Sequence, residues 1–228
     1  ELSRPYTIAE VGINHDGEIE KALKMIKIAK STGVDCIKFQ TFKADEIIYD
    51  KTIKHKYNSN NKQVVESMYE MFKRYELEDK DWLKIKNYCD DLKIDFLSTP
   101  QNPSDLDLLI KIGIDSIKIG SDDFNNFPLI KYYMKFDLPI ILSIGMANEN
   151  EITDVVELFK TNNFKKYVFL LCTSSYPTPT NQVNLNKLKS LIKVSENKII
   201  GFSDHTTDNY SSMIAVGLGA KIFEKHYT

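Results

Sequence analysis

Long uninterrupted hydrophobic runs are missing from these 228 residues. No stretch approaches the roughly 20 apolar residues of a membrane span, and no signal peptide heads the chain. Cysteine is scarce: Cys36, Cys89 and Cys172 are odd in number and far apart, which argues against a disulfide framework and fits a reducing cytosol. A dominant charge sign is missing too. The 30 Lys and Arg against 32 Asp and Glu leave a net charge of −2, so no electrostatic footprint for nucleic acid or an anionic membrane is present. There is no low-complexity tract and no repeat beyond a strand–helix unit. Glu1 in place of an initiator Met suggests a trimmed start. What is left is a soluble cytoplasmic protein with one large domain and enough chain for a well-buried core.

Apolar runs recur along that domain, at residues 7–11, 35–40, 95–98, 116–119, 140–143, 167–171, 198–203 and 222–226. Amphipathic stretches lie between them. Ile19, Ala22, Leu23, Ile26 and Ala29 share one helical face in residues 18–30, as do Trp82, Ile85, Cys89 and Leu92 in residues 80–92. Gly33, Gly113 and Pro139 sit just before strands, where helix stops belong. Eight strands alternating with helices predict an α/β chain folded as a (β/α)8 TIM barrel, with functional residues at the C-terminal strand ends. The competing architecture is an open doubly wound sheet. Residues 41–78 interrupt the pattern as a long loop rich in Lys, Asn and Tyr, of the kind that covers a site or moves. The chain stops directly after strand eight, so residues 1–228 are expected to be a truncated barrel within a longer protein.

Alternation along the strands sorts side chains by face. Glu10, Lys38 and Lys118 each lie between apolar neighbours, Gln40 shares the face of Lys38, and Ser203 with His205 and Glu224 with His226 are two apart. If the apolar set faces the helices, the polar set points into the barrel, where buried Lys and Glu are costly unless paired or bound to ligand. A structural Glu10–Lys38 pair would account for two such groups, but not for a ring of them. His205 and His226 close neighbouring strands, so their imidazoles could share one divalent metal, with Glu10 alongside on strand one. Lys38 and Lys118, with hydroxyls at Thr99, Ser121, Ser143 and Ser203, suit a small, multiply anionic substrate such as a phosphate ester bearing a carboxylate.

The chain also resembles the N-terminal barrel of the sialic acid synthases, the N-acetylneuraminate, legionaminate and pseudaminate synthases. The resemblance rests on ordered blocks: Ala9-Glu10-Val11-Gly12-Ile13-Asn14-His15, Lys38-Phe39-Gln40-Thr41, Leu97-Ser98-Thr99-Pro100 and Lys118-Ile119-Gly120-Ser121. Leu142-Ser143-Ile144-Gly145-Met146, Cys172-Thr173-Ser174-Ser175-Tyr176-Pro177, Gly201-Phe202-Ser203-Asp204-His205-Thr206 and Glu224-Lys225-His226-Tyr227 complete it. Any one block is modest; together they are specific.

The resemblance implies condensation of phosphoenolpyruvate with an N-acetylated amino sugar aldehyde, giving a nine-carbon 2-keto acid and phosphate with Mn²⁺ or Mg²⁺. It implies metal ligation by His205 and His226, a catalytic Glu10, and Glu224 beside the metal. Phosphoenolpyruvate contacts are implied at Lys38, Thr99, Lys118, Ser121, Ser143 and Ser203, and sugar-side positions at Gln40, Asp123, Ser174 and Tyr176. A homodimer is implied for the full-length protein, in which a small antifreeze-like domain follows the barrel. Ser174, Asp123 and Ile144 stand where the N-acetylneuraminate enzymes carry Asn, Glu and Thr, which leaves the sugar open. Three other readings compete: a Schiff-base aldolase using Lys38 or Lys118, a barrel condensing phosphoenolpyruvate with phosphorylated sugars, and a degenerate carbohydrate-binding or coat-assembly protein. His15 is expected only to orient Asn14, and His55 to be solvated.

Overall fold

The computed structural model describes residues 4–59, 62–195 and 199–228. The chain runs β1 (Tyr6–Gly12), α1 (Ile19–Ser31), β2 (Cys36–Thr41), α2 (Ala44–Ile47), β3 (Lys54–Ser59), β4 (Lys62–Ser67), α3 (Met68–Tyr75), α4 (Asp79–Leu92) and β5 (Asp95–Pro100). It continues with α5 (Pro103–Ile112), β6 (Ile117–Ile119), α6 (Phe127–Met134), β7 (Ile140–Ser143), α7 (Glu149–Thr161), β8 (Tyr167–Leu171), α8 (Lys187–Val194), β9 (Ile200–Asp204), α9 (Tyr210–Gly217) and β10 (Ile222–His226). Eight of the strands form one parallel sheet in the order β5-β2-β1-β10-β9-β8-β7-β6. β5 and β6 pack side by side, so the sheet curls into a nearly closed (β/α)8 barrel, as predicted.

All eight predicted strands are present. Lys198, where one was expected to begin, lies outside the described residues, and that strand starts at Ile200. The one correction concerns residues 41–78, which are not a plain loop: α2, the antiparallel β3–β4 hairpin and α3 are folded there. Gly113 ends α5 in the left-handed region at φ 86°, a conformation that a side chain would strain.

Alternation along the strands divides the core in two. The outward set, including Ile37, Phe39, Ile117 and Ile119, packs against Trp82, Ile85 and Cys89 of α4 and the other helices. Inside the barrel, Ile8, Cys36, Leu97, Ile141, Leu170 and Ile222 form a separate apolar cluster, closed beneath by Tyr6, Val168 and Ile199. Each of those six lies two residues before an inward group nearer the strand end: Glu10, Lys38, Thr99, Ser143, Cys172 and Glu224. β9 contributes Gly201 to the apolar layer and Ser203 above it. A Cβ on Gly201 would lie 2.3 Å from Leu170 Cδ2 and 2.5 Å from the Ile222 carbonyl, so only glycine fits. The barrel therefore carries a polar layer on an apolar floor. No helix among the described residues is long and apolar enough to cross a membrane.

Candidate active site

The polar layer opens into a cavity of about 360 Å³ at the C-terminal end of the barrel, where TIM-barrel sites form. Its base is buried charge. Lys38 Nζ lies 2.9 Å from Glu10 Oε2 and 3.5 Å from Glu224 Oε2, all three side chains being at most 5% exposed. The same ammonium donates to Thr99 Oγ1 at 3.3 Å, and Gln40 Nε2 donates to Glu10 Oε1 at 3.4 Å. Lys118 Nζ donates to Ser143 Oγ at 2.7 Å and to the Ile119 carbonyl at 2.9 Å. On the far side Ser203 Oγ donates to Glu224 Oε1 at 2.9 Å and lies 3.2 Å from His205 Nε2. Ser121 Oγ and Ser174 Oγ are 3.3 Å apart at the rim.

These positions follow from register. β1 pairs with β10 so that Glu10 stands opposite His226, and with β2 so that it stands opposite Lys38; β10 pairs with β9 so that Glu224 stands opposite Ser203. The His205 turn is fixed by Asp204, whose carboxylate accepts from Thr206 N at 2.9 Å, Thr206 Oγ1 at 2.7 Å and Ser212 Oγ at 2.6 Å. Lys225 Nζ adds an ion pair to Asp204 at 3.2 Å.

Burial separates the two carboxyls. Glu10 is pushed up because it is fully desolvated, with Lys38 opposing the shift. Burial acts the same way on Glu224, but Lys38, Lys118 and the Ser203 hydroxyl outweigh it and hold Glu224 below the usual carboxylate range. Paired groups driven apart in this way are the signature of divided acid and base roles. Desolvation lowers Lys118, whereas for Lys38 the two carboxylates outweigh burial and raise it. Burial lowers both His205 and His226, which favours the neutral imidazole that binds a metal.

The histidines fit a divalent cation in part. Their ring centroids are 5.6 Å apart. The Nδ1 of His205 lies 2.7 Å from the Thr173 carbonyl. The N–H donated there leaves Nε2 with its lone pair, the arrangement usual for a metal-binding histidine. Among the described residues no group of three His, Cys, Asp or Glu is placed to hold a metal. The protein can thus offer two nitrogens, and water and substrate oxygens would fill the other positions, as in an open catalytic site.

Nearly all residues expected from the sequence line this cavity: Glu10, Lys38, Gln40, Thr99, Lys118, Ser121, Ser143, Ser174, Tyr176, Ser203, His205, Glu224 and His226. Tyr176 packs against His205 with the rings tilted by 31° and centroids 4.1 Å apart, and meets His226 edge-on at 5.6 Å. Asp123 is the exception. It accepts from Asn126 Nδ2 at 3.0 Å, beside the start of α6, and Asp122 faces the cavity in its place. The reason is local: β6 ends at Ile119, so strand alternation no longer governs the residues that follow. The sequence reading also missed Phe42, Ile47, Phe72 and Cys172 on the wall; Cys172 lies two residues beyond the inward Leu170 and was legible by parity. His15 does not hold Asn14. Its Nδ1 accepts from Gly17 N at 3.1 Å, while Asn14 donates to the Tyr227 carbonyl at 2.9 Å. His55 is half-buried and stacks on Tyr57 at 5.5 Å.

Comparison with known proteins bears on the family and the fold. The chain is 38% identical over 229 residues to the N,N'-diacetyllegionaminic acid synthase of Campylobacter jejuni, covering 100% of the chain and 68% of that protein. It is 36% identical over 227 residues to the enzyme of the same name from Legionella pneumophila, covering 98% of the chain. The chain thus spans just 64% of that relative's length. The N-acetylneuraminic acid synthetase of Leptospira borgpetersenii serovar Hardjo-bovis, crystallised with citrate, superposes with a TM-score of 0.86 at 32% identity, over 99% of this chain and 74% of that one. The NeuB family model matches residues 25–228. Ordered motifs, barrel and family match converge, and the chain belongs to the NeuB family of sialic acid synthases.

Proposed function

We propose that this barrel condenses phosphoenolpyruvate with the open-chain aldehyde of a 2-acetamido sugar and water, releasing phosphate and a nine-carbon 2-keto acid. One observation carries the reading: two buried ammonium groups and four inward hydroxyls face the same small cavity as two neutral imidazoles and two carboxyls held apart in acidity. That combination suits a reactant with a carboxylate and a phosphate next to one with a polarisable oxygen.

In this reading Lys38 and Thr99 on one side, and Lys118, Ser143 and Ser121 on the other, bind and orient the two anionic groups. The enol C3 attacks the aldehyde carbon, water adds at C2, and phosphate leaves by C–O cleavage. Glu10, raised by burial, takes the proton of the attacking water, while Glu224 stays ionised near the positive charge that develops at C2. His205 and His226 would hold Mn²⁺ or Mg²⁺, which when bound polarises the aldehyde oxygen. Gln40, Ser174 and Tyr176 line the sugar side. A homodimer belongs to the same proposal.

The test is phosphate release from phosphoenolpyruvate with a panel of acetamido sugars, with the product identified by mass. The reading expects Mn²⁺- or Mg²⁺-dependent release coupled to a keto acid that carries all carbons of both reactants. Activity that survives EDTA and traps pyruvate on a lysine with borohydride would favour a Schiff base at Lys118, whose lowered basicity is the observation on that side.

A further inference from the structure

The two histidines sit just past the end of the ladder that joins their strands. β10 pairs with β9 up to Lys225 opposite Asp204, and His226 and His205 come one residue further on. Alternation turns that last pair away from the cavity, and there the Ser212 hydroxyl of α9 reaches Asp204 at 2.6 Å. The β9–β10 ladder thus stops short of the residues that carry the imidazoles, whose ring centroids are 5.6 Å apart.

Lys225 takes over where the ladder stops. Its ammonium lies 3.2 Å from Asp204 Oδ2 and donates to the Thr206 carbonyl at 2.8 Å. One side chain therefore grips the residue before His205 and the residue after it, and directly precedes His226 in the chain. Asp204 doubles the grip by accepting from N and Oγ1 of Thr206. A purely stabilising ion pair would explain little of this. Lys225 is 32% exposed, where ion pairs contribute weakly, and Asp204 keeps three other donors without it.

We propose that Lys225 is a positioning residue: from outside the cavity it sets the spacing and aim of the two imidazoles, so that both reach one divalent cation. The proposal rests on the reading of His205 and His226 as metal ligands and adds the element that orders them before the metal arrives. Groups that orient metal ligands from behind typically change metal affinity about 10–100-fold when removed.

The experiment is a titration of the metal-free chain with Mn²⁺ alone, the free ion being read by its EPR signal, beside urea unfolding without metal. Lys225→Met keeps the aliphatic stem and removes the ammonium. The expected result is an affinity for Mn²⁺ lower by about 10–100-fold, with the urea midpoint of the metal-free protein close to that of the parent. Lys225→Arg, which can still bond a carboxylate and a carbonyl at once, is expected to regain most of the affinity. Lys225→Met binding Mn²⁺ as tightly as the parent overturns the proposal. So does a weaker affinity that comes with a lowered midpoint and is not regained in Lys225→Arg, the mark of a merely structural role. A parent that takes up no Mn²⁺, or takes it up equally well as His226→Ala, overturns the metal reading itself and the proposal with it.

Discussion

Replacing Lys38 by Met tests the charged base of the site most directly. Lys38 is 4% exposed and lies 2.9 Å from Glu10 and 3.5 Å from Glu224, which are themselves buried. Losing one partner of a buried ionic cluster leaves the others uncompensated, at about 3–5 kcal/mol. For a chain of this size, about 2–4 °C of melting temperature per kcal/mol makes that roughly 6–20 °C. Urea unfolding can be followed by the fluorescence of the single tryptophan, Trp82, whose ring stacks edge-on against Phe39 at 6.0 Å, next to the mutated position. Replacing the whole cluster by neutral groups should remove most of the penalty, so Lys38→Met combined with Glu10→Gln and Glu224→Gln is expected to regain at least half of the loss. A Lys38→Met protein within about 1 kcal/mol of the parent, or a triple variant no more stable than the single one, would show that Lys38 is not what neutralises these carboxylates.

Burial holds His15 down to about 4 against an ordinary value of 6.5, so the folded state binds fewer protons than the unfolded state between those limits. Stability is then complete above pH 6.5 and falls by about 3 kcal/mol as pH drops to 4; in His15→Gln, denaturation at pH 4.5 and 7.5 should lack that component of the slope, and an unchanged slope would contradict it. Gly201→Ala forces a methyl into Leu170 and the Ile222 carbonyl and should cost about 1–3 kcal/mol, measurable as a lowered urea midpoint with unchanged m-value. Glu10→Gln should lower the rate of phosphate release at least about 100-fold while phosphoenolpyruvate affinity changes little, since Lys38 can still donate to the amide oxygen and Gln40 can turn its own amide to accept from the new NH2.

Most of the site was legible because period-two alternation is rigid within a strand. Glu10, Lys38 and Lys118 each stand alone among apolar neighbours, and the barrel turns every such position inward. That alternation is lost where the strand ends. Asp122 and Asp123 are chemically alike and follow a three-residue strand, so only the turn decides which one enters the cavity. The folded insertion was hidden by composition: Lys54, Lys56 and Lys62 mark β3 and β4 as polar, and α2 is four residues long, too short to show a helical face. His15 sits in a loop, where sequence gives no measure of burial.

The oily layer under the charged one makes this barrel a vessel with a single mouth. Nothing in the cavity can pass through the bottom, past Ile8, Leu97, Leu170 and Ile222. The cavity over Lys38 and Lys118 is thus reached from the C-terminal rim, and the apolar floor leaves those two ammonium groups facing one side only.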